Sequence, residues 1–205
     1  MDYKFEKGAF NEEQLELAII ELFKQQGFTY VHGDTIHRRY EDVLLVDDLL
    51  SFIKGKYADE DLTELELQKI VNKINLISAT PLYSGNKETF LLTNEGFDLV
   101  RDDPSKVALH VDFIDYEEPS NNLFKVVNQY TVQGKRKRIP DFLVFVNGIP
   151  VCIWEFKSAI REDATIYTAW EQINKRYNRD IPKLMKYCFL SVISDGVNTK
   201  LASIF

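Results

Sequence analysis

The sequence of 205 residues is poor in the residues that build disulfide-linked, metal-rich or membrane-spanning proteins. It contains two cysteines, three histidines and no low-complexity tract, and no apolar run approaches the roughly 18 residues that cross a bilayer. Cys152 and Cys188 lie in apolar runs without a CxxC partner, which excludes zinc and thioredoxin-like sites and predicts reduced core thiols. The opening MDYKFEKGAF also lacks a signal-peptide pattern. These absences predict a cytoplasmic protein with no membrane partner.

The charge balance is acidic, with 25 Lys and Arg against 32 Asp and Glu and a formal net charge of −7. This total argues against binding nucleic acid by bulk charge, but it leaves room for a local site. One basic run, GKRKR, supplies Lys135, Arg136, Lys137 and Arg138. Two interpretations stay open for this run: contacts with DNA phosphates, or a solvated loop.

Helical signals dominate the first part of the chain. Asn11 and Gln14 resemble an N-cap with its reciprocal partner, and apolar residues then recur at helical spacing until Gly27. After a short β-prone segment, FTYV, the pattern predicts a helix at about 41–54 and another that starts at the Thr63–Glu66 capping box. The second of these runs to about residue 75. We therefore expect a helical insertion at about 38–100.

From about residue 107 the sequence becomes typical of β-strands. Runs rich in Val, Ile, Phe and Tyr are separated by turn residues, and Asn147-Gly148 joins two of them as a hairpin. These runs are VALHVDFID, NLFKVVNQYTV, IPDFLVFV and IPVCIWEFK. A helix at about 164–178 follows, then a buried strand in YCFLSVIS and a short final strand after Asp195-Gly196.

The element order predicts an α/β fold with a mixed β-sheet flanked by helices. Strands that are apolar on both faces need helices above and below the sheet. The order is α, helical insertion, βββ, α, β. We expect one domain over residues 1–205, with its core formed by about 1–30 and 105–205. The apolar end of the sequence, ASIF, suggests a piece of a longer chain.

Three ionisable residues interrupt the two apolar strands of the hairpin. Asp141 starts one strand, and Glu155 and Lys157 lie near the end of the other, two residues apart and thus on one face. Buried charges need a partner or a metal ion. One interpretation is a structural ion pair made by Lys157. The other is a Mg²⁺ site of two carboxylates with a cation beside it.

A shared metal ion also imposes a strand register. A simple two-residue loop at Asn147-Gly148 would place Glu155 opposite Pro140 and turn Asp141 to the wrong face. An odd-length connection or a single bulge would place Asp141 opposite Glu155 and Leu143 opposite Ile153. We therefore predict such an irregularity near Gly148 and Pro150.

The same residues resemble a known nuclease pattern. Pro140-Asp141, thirteen further residues, then Glu155-Phe156-Lys157 match PD-(D/E)xK, and RIPDFLVFVNGIPVCIWEFKS resembles the nuclease core of type I restriction R subunits. LELAIIELFKQQGFTYVHG and YCFLSVISDG are similar to the same amino-terminal region. The resemblance implies a restriction-endonuclease-like fold. It also implies that Asp141, Glu155 and the Phe156 carbonyl hold a metal ion, and that Lys157 orients water and stabilises charge.

The resemblance implies further site residues outside the hairpin. Glu16 matches an additional acidic active-site position, with a solvated helix carboxylate as the alternative. Relatives carry QxxxY on the helix after the lysine, whereas Gln172 and Tyr177 are five residues apart here. In an α-helix this spacing puts them about 140° apart rather than on one face. A joint role is therefore in doubt. Gln172 alone remains a candidate for contacting DNA or a metal-binding carboxylate, and Tyr177 remains a candidate for contacting DNA, with a packing aromatic at the helix end as the alternative.

The implied activity is Mg²⁺-dependent hydrolysis of unmodified double-stranded DNA in a complex with methyltransferase and specificity subunits. The sequence contains no GxxxxGK[ST] loop, so ATP would be used by a motor outside this chain. Two alternatives stay open. One is another PD-(D/E)xK nuclease, such as a RecB-like repair enzyme, and the other is a non-catalytic domain that docks DNA or partner subunits.

Overall fold

The computed structural model describes residues 12–157 and 166–204. Its helices are α1 (Glu12–Gln25), α2 (Val46–Lys56), α3 (Glu64–Asn75), α4 (Leu82–Glu95), α5 (Ile166–Glu171), α6 (Asn178–Asp180) and α7 (Pro182–Met185). A π-helical turn, Gln172–Tyr177, joins α5 to α6. The strands are β1 (Thr29–His32), β2 (Phe97–Leu99), β3 (Leu109–Val111), β4 (Phe124–Asn128), β5 (Val132–Gln133), β6 (Lys137–Arg138), β7 (Phe142–Val146), β8 (Ile149–Phe156), β9 (Leu190–Ser194) and β10 (Thr199–Ser203).

A six-stranded mixed sheet organises the molecule in the order β1-β4-β7-β8-β9-β10. The pairs β1–β4 and β8–β9 are parallel, and the other neighbours are antiparallel. Two small ribbons, β2–β3 and β5–β6, lie outside this sheet. The predicted α/β class with a mixed sheet flanked by helices is confirmed. The predicted strand in VALHVDFID forms, but it pairs in a ribbon and not in the main sheet.

Alternation along β7 explains why both faces of the sheet are covered. Phe142 and Val144 pack in a cluster with Leu15 and Ile20 of α1, whereas Leu143 and Phe145 pack in a larger cluster on the opposite face. The larger cluster includes apolar residues of α2, α3 and α5. The free thiols of Cys152 and Cys188 are buried, as predicted.

The hairpin between β7 and β8 contains the predicted irregularity. Asn147 and Gly148 form a two-residue loop, both at positive φ (50° and 78°), which is the geometry that right-twisted hairpins prefer. Val146 pairs with Ile149 and Phe145 with Pro150, but Val144 then pairs with Cys152, so Val151 forms a bulge. Leu143 lies opposite Ile153 and Phe142 opposite Trp154. The predicted bulge and its register are confirmed.

The helices at about 38–100 match the sequence prediction only in part. The capping box is present, with Glu66 N–H donating to the Thr63 hydroxyl and Thr63 N–H donating to the Glu66 carboxylate. The helix expected at 41–54 is Val46–Lys56, because the preceding residues Val43, Leu44 and Leu45 are buried in the core in a non-helical stretch. The sequence analysis also missed α4, whose mixed polar pattern gives a weak amphipathic signal.

Two predictions at helix ends fall partly outside the described residues. Asn11, the expected N-cap of α1, lies outside the described residues. The start of the helix expected at 164–178 also lies outside them. The described part of that helix is α5, the π-helical turn and α6. No helix among the described residues is both long and apolar enough to span a membrane.

Candidate active site

The bulged hairpin brings two carboxyl groups together at the end of the sheet. The register that pairs Phe142 with Trp154 places Asp141 across from Glu155. Their carboxyl groups lie within hydrogen-bonding distance. Asp141 Oδ2 also accepts a hydrogen bond of 2.8 Å from the Phe156 backbone N–H, which fixes its orientation relative to β8.

Burial and mutual repulsion disfavour the charged forms of this carboxyl pair. Glu155 is fully buried, and its burial, followed by the charge of Asp141, raises the pKa of Glu155 well above its ordinary range. Burial also raises the pKa of Asp141. Two carboxylates in contact are stable only when they share a proton or a cation. The pair is therefore a place where a cation can replace a proton.

Lys157 follows directly on β8, at the end of the sheet where Asp141 and Glu155 lie. Its Nζ donates a hydrogen bond of 2.8 Å to the carbonyl of Phe156. Its charge lowers the pKa of both Asp141 and Glu155, although burial outweighs this effect in each. Lys157 has no ion pair within 4 Å to any described carboxylate, so the structural ion-pair interpretation is not supported.

The π-helical turn corrects the expectation for Gln172 and Tyr177. A π-helix bonds residue i to residue i+5, so residues five apart meet on one side of the turn. Gln172 Nε2 donates to the Tyr177 hydroxyl at 2.8 Å, and this hydroxyl donates to the Glu155 carboxylate at 2.9 Å. The predicted separation of about 140° is wrong because the local helix is π and not α.

The Tyr177 hydroxyl therefore contacts the Glu155 carboxylate, and the residue is buried. Its side chain is 1% exposed, which leaves no area for the expected direct contact with DNA. Burial raises the pKa of the Tyr177 phenol far above its ordinary value, so the hydroxyl remains a hydrogen-bond donor. Tyr177 positions Glu155, and Gln172 positions Tyr177.

Glu16 is held by two amide side chains and is not a solvated helix carboxylate. Asn128 Nδ2 donates to Oε1 at 2.7 Å, and Gln129 Nε2 donates to Oε2 at 3.0 Å. Burial raises the pKa of Glu16, and the charge of Asp141 adds to this shift, which places both carboxylates in one electrostatic environment. Glu16 is thus a partly buried, hydrogen-bonded carboxylate, and its active-site role stays a prediction.

Sequence reasoning missed the two residues that hold Glu16. Asn128 ends β4, and Gln129 follows it in the left-handed region with a φ of 52°. The Gln129 N–H donates to the Asp141 carbonyl, so this strained residue also ties β4 to the start of β7. The usable signal was a polar Asn-Gln pair at the end of an apolar strand, FKVV.

The basic run forms a ribbon, and its members differ in availability. Arg138 donates through Nε and Nη2 to the buried Asp180 carboxylate at 2.8 and 2.5 Å, so its charge is already paired within the fold, and its expected DNA contact stays a prediction. Lys135, Arg136 and Lys137 are exposed. The expected DNA contact stays a prediction for these three residues.

Comparison with known proteins identifies similar sequences over nearly the whole chain. The profile of the family described as type I restriction enzyme R protein N terminus matches residues 9–203. A Methanocaldococcus jannaschii protein provisionally named type I restriction enzyme MjaIXP endonuclease subunit is 31% identical, over 98% of this chain and 20% of that protein. The type I restriction enzyme HindI endonuclease subunit of Haemophilus influenzae is 26% identical, over 95% of this chain and 19% of that protein. The chain thus spans about a fifth of the length of these curated relatives.

Proposed function

Because the chain belongs to the family of type I restriction enzyme R protein N termini, we propose that it is a Mg²⁺-dependent endonuclease domain that hydrolyses phosphodiester bonds of unmodified double-stranded DNA. The observation that carries the proposal is the contact between the Asp141 and Glu155 carboxyl groups beside Lys157. Two carboxylates and an ammonium at one end of a sheet suit phosphoryl chemistry, since a cation and the ammonium can both neutralise charge on a phosphate.

The residues present fit a magnesium ion. Mg²⁺ is bound by oxygen atoms, commonly with one or two protein carboxylates and several waters. Asp141, Glu155 and the Phe156 carbonyl offer such a set. Within residues 12–157 and 166–204, no group of three or more His, Cys, Asp or Glu side chains is arranged as a metal site. The proposal therefore rests on two carboxylates completed by the carbonyl and water.

Each neighbouring group has a part in the proposed reaction. When bound, a divalent cation supplies charge neutralisation on the phosphate and a lower pKa for water. The Phe156 N–H holds Asp141, and the Tyr177 hydroxyl holds Glu155. Lys157, which follows directly on β8, orients the attacking water and stabilises the negative charge that develops on phosphorus-bound oxygen.

The wider setting of the domain is also part of the proposal. The residues of the helical insertion at about 38–100 share one hydrophobic cluster with the sheet, which supports a single domain over residues 1–205. We propose that the domain works in the cytoplasm with an ATP-driven motor in the same polypeptide and with methyltransferase and specificity subunits. The names of the relatives, all endonuclease subunits of type I restriction enzymes, support this setting.

The decisive experiment separates cleavage from the other activities of the longer polypeptide. Asp141→Asn, Glu155→Gln and Lys157→Met should each lower the rate of DNA cleavage at least 1,000-fold, on the order of 4 kcal/mol of transition-state stabilisation. ATP hydrolysis and translocation should change little, since none of these residues belongs to a phosphate-binding loop. Glu117→Gln, which alters an exposed carboxylate, is the matched control and should cleave at the parental rate. Parental cleavage by any of the three site variants contradicts the assignment.

A further inference from the structure

A basic cavity of about 410 Å³ adjoins the carboxyl pair on the other side of Tyr177. Its lining consists of Lys137, Arg138, Ile139, Gln172, Arg176 and Tyr177. Three of these six residues are cationic and none is acidic. Tyr177 is in the lining of the cavity and its hydroxyl contacts Glu155, so one residue links the cavity to the proposed catalytic carboxylates.

A buried carboxylate fixes the two walls of this cavity to each other. Asp180, 1% exposed, accepts hydrogen bonds from Arg138 of the ribbon and from Arg179 of its own helix. The Asp180 carbonyl also accepts the Lys135 backbone N–H at 2.7 Å. At Gly134 an added Cβ would lie 2.3 Å from that carbonyl, so only glycine allows the close approach. The ribbon is therefore held rigidly against the helix that carries Arg176.

The ion pair with Asp180 occupies one cation of the cavity, Arg138, and leaves Lys137 and Arg176. Arg176 is exposed and makes no hydrogen bond or ion pair with any described residue. Lys137 is also exposed, and its Nζ lies 5.2 Å from the centre of the Tyr40 ring. Both cations reach the cavity from opposite walls, one from β6 and one from the π-helical turn. Two cations on walls that are fixed to each other, and without an ion-paired carboxylate among the described residues, form a site suited to an anion.

We propose that Lys137 and Arg176 bind one backbone phosphate of the DNA, next to the phosphate that is cleaved. This inference rests on the proposed function, because it takes the cleaved strand to pass the Asp141–Glu155 pair. A phosphodiester suits the cavity since it carries one negative charge and two free oxygens, which the fork of a guanidinium can bind together. Binding there holds the strand beside the carboxylates without any contact to a base, so it is independent of sequence.

The test measures binding of duplex DNA by the protein in EDTA, where no divalent cation is present and no cleavage occurs. Arg176→Gln should weaken binding about fivefold to tenfold at 0.1 M salt and should flatten the dependence of log K on log salt by about one unit. Arg176→Lys keeps the charge and should keep the slope. Lys175→Gln is the matched control, because Lys175 is the neighbour on the same turn and its charge is already paired with Glu171 at 2.6 Å. Its affinity should remain within about twofold of the parent.

The double variant Lys137→Gln with Arg176→Gln distinguishes one phosphate from two. A shared phosphate predicts a total change in slope of about one unit, and two separate phosphates predict about two. A value near two overturns the single site, and so does an Arg176→Gln variant that behaves like Lys175→Gln. If the parent protein itself binds no DNA, the proposed function fails. If the parent binds and Arg176 has no effect, this inference alone fails.

Discussion

Two pairs of buried ionisable residues in this molecule use charge in opposite ways. In the helical insertion, Arg101 Nε donates to Glu66 Oε1 at 2.9 Å, and both side chains are almost fully buried. Burial alone would raise the pKa of Glu66, but hydrogen bonds from the guanidinium and from two backbone amides lower it to about 2. In the hairpin, Asp141 and Glu155 are like charges in contact, and burial raises the pKa of each.

The difference separates a structural pair from the pair that we propose to be functional. Glu66 accepts hydrogen bonds from Arg101 Nε and Asp102 N–H and also completes the capping box of α3. Its charge is neutralised within the fold, so nothing further is needed. Among the described residues, the carboxyl pair of the hairpin has no ion-paired cation, although Phe156 N–H and the Tyr177 hydroxyl donate hydrogen bonds to it. A proton or a cation would compensate the repulsion between the two groups. A carboxyl pair of this kind, held in place by the rest of the sheet, is a candidate binding site.

Breaking the structural pair should give the largest change in stability. Arg101→Met removes the guanidinium and leaves the Glu66 carboxylate buried without its counter-charge, which typically costs about 3–5 kcal/mol in the free energy of unfolding. Urea unfolding monitored by circular dichroism measures this loss. The DNA cleavage rate per folded molecule should stay at the parental value, because Arg101 contacts none of the hairpin carboxylates.

The outer end of the same network supplies the control. Arg101 Nη1 also pairs with Glu60, whose side chain is 43% exposed. Glu60→Gln should therefore cost less than about 1 kcal/mol, as exposed ion pairs usually do. Equal losses in the free energy of unfolding for Arg101→Met and Glu60→Gln would show that burial of the Arg101–Glu66 pair contributes little. Arg101–Glu66 would then no longer serve as the structural pair in the comparison with the hairpin.

A smaller effect on the protein is expected when Asp141 and Glu155 are kept but the hydrogen bond to Glu155 from Tyr177 is removed. Tyr177→Phe removes the hydroxyl that donates to Glu155 and leaves the ring in place. Groups that orient a metal ligand commonly contribute 10-fold to 100-fold in affinity. We expect Mn²⁺ binding, measured by calorimetry, to weaken by about that factor, and its pH midpoint to rise because the hydroxyl lowers the pKa of Glu155.

Tyr187→Phe removes a hydroxyl from an equally buried tyrosine elsewhere in the molecule. That hydroxyl donates to the Ile74 carbonyl at 3.3 Å, outside the carboxyl site. Stability can fall in both variants, but only Tyr177→Phe should alter Mn²⁺ affinity. If the two variants bind Mn²⁺ alike, Tyr177 does not position Glu155 for a cation.

Patterns that depend on neighbouring residues in sequence predicted much of this fold. The capping box at Thr63, the hairpin at Asn147-Gly148 and the alternating strands each state a local geometry that the chain adopts. The bulge at Val151 was predictable as well, because two carboxylates that share one ion allow only one register. The start of α2 was not, since Val46 begins the helix without a side-chain cap and the buried residues before it are fixed by tertiary packing.

The candidate site was predictable only where its residues lie close in sequence. Asp141, Glu155 and Lys157 stand on one hairpin, so their spacing reports their geometry. Asn128 and Gln129 reach Glu16 across more than 100 positions, and no local pattern records that contact. The π-helical turn depends on hydrogen bonds between residues five apart that standard helical spacing does not anticipate. The five-residue spacing of Gln172 and Tyr177 was a sequence signal for this π-helical turn. The sequence analysis interpreted it instead as a departure from the QxxxY pattern.

The finest comparison of the two buried pairs is their response to pH. A raised pKa means that the folded protein binds the Glu155 proton more tightly than the unfolded chain does, so stability falls as pH rises above the ordinary value of about 4.5. Glu155→Gln removes this loss, and its amide can donate to Asp141 in place of the shared proton. In EDTA at pH 8 we expect the variant to be more stable than the parent by about 1 kcal/mol, with no gain below pH 4.

Glu66→Gln should show the opposite sign, because a lowered pKa stabilises the fold above pH 4.5 and this stabilisation disappears as pH falls towards 2. Urea unfolding from pH 3 to pH 9 measures both curves, and a Glu155→Gln variant that is less stable than the parent at pH 8 would show that the two carboxyl groups are not in repulsive contact.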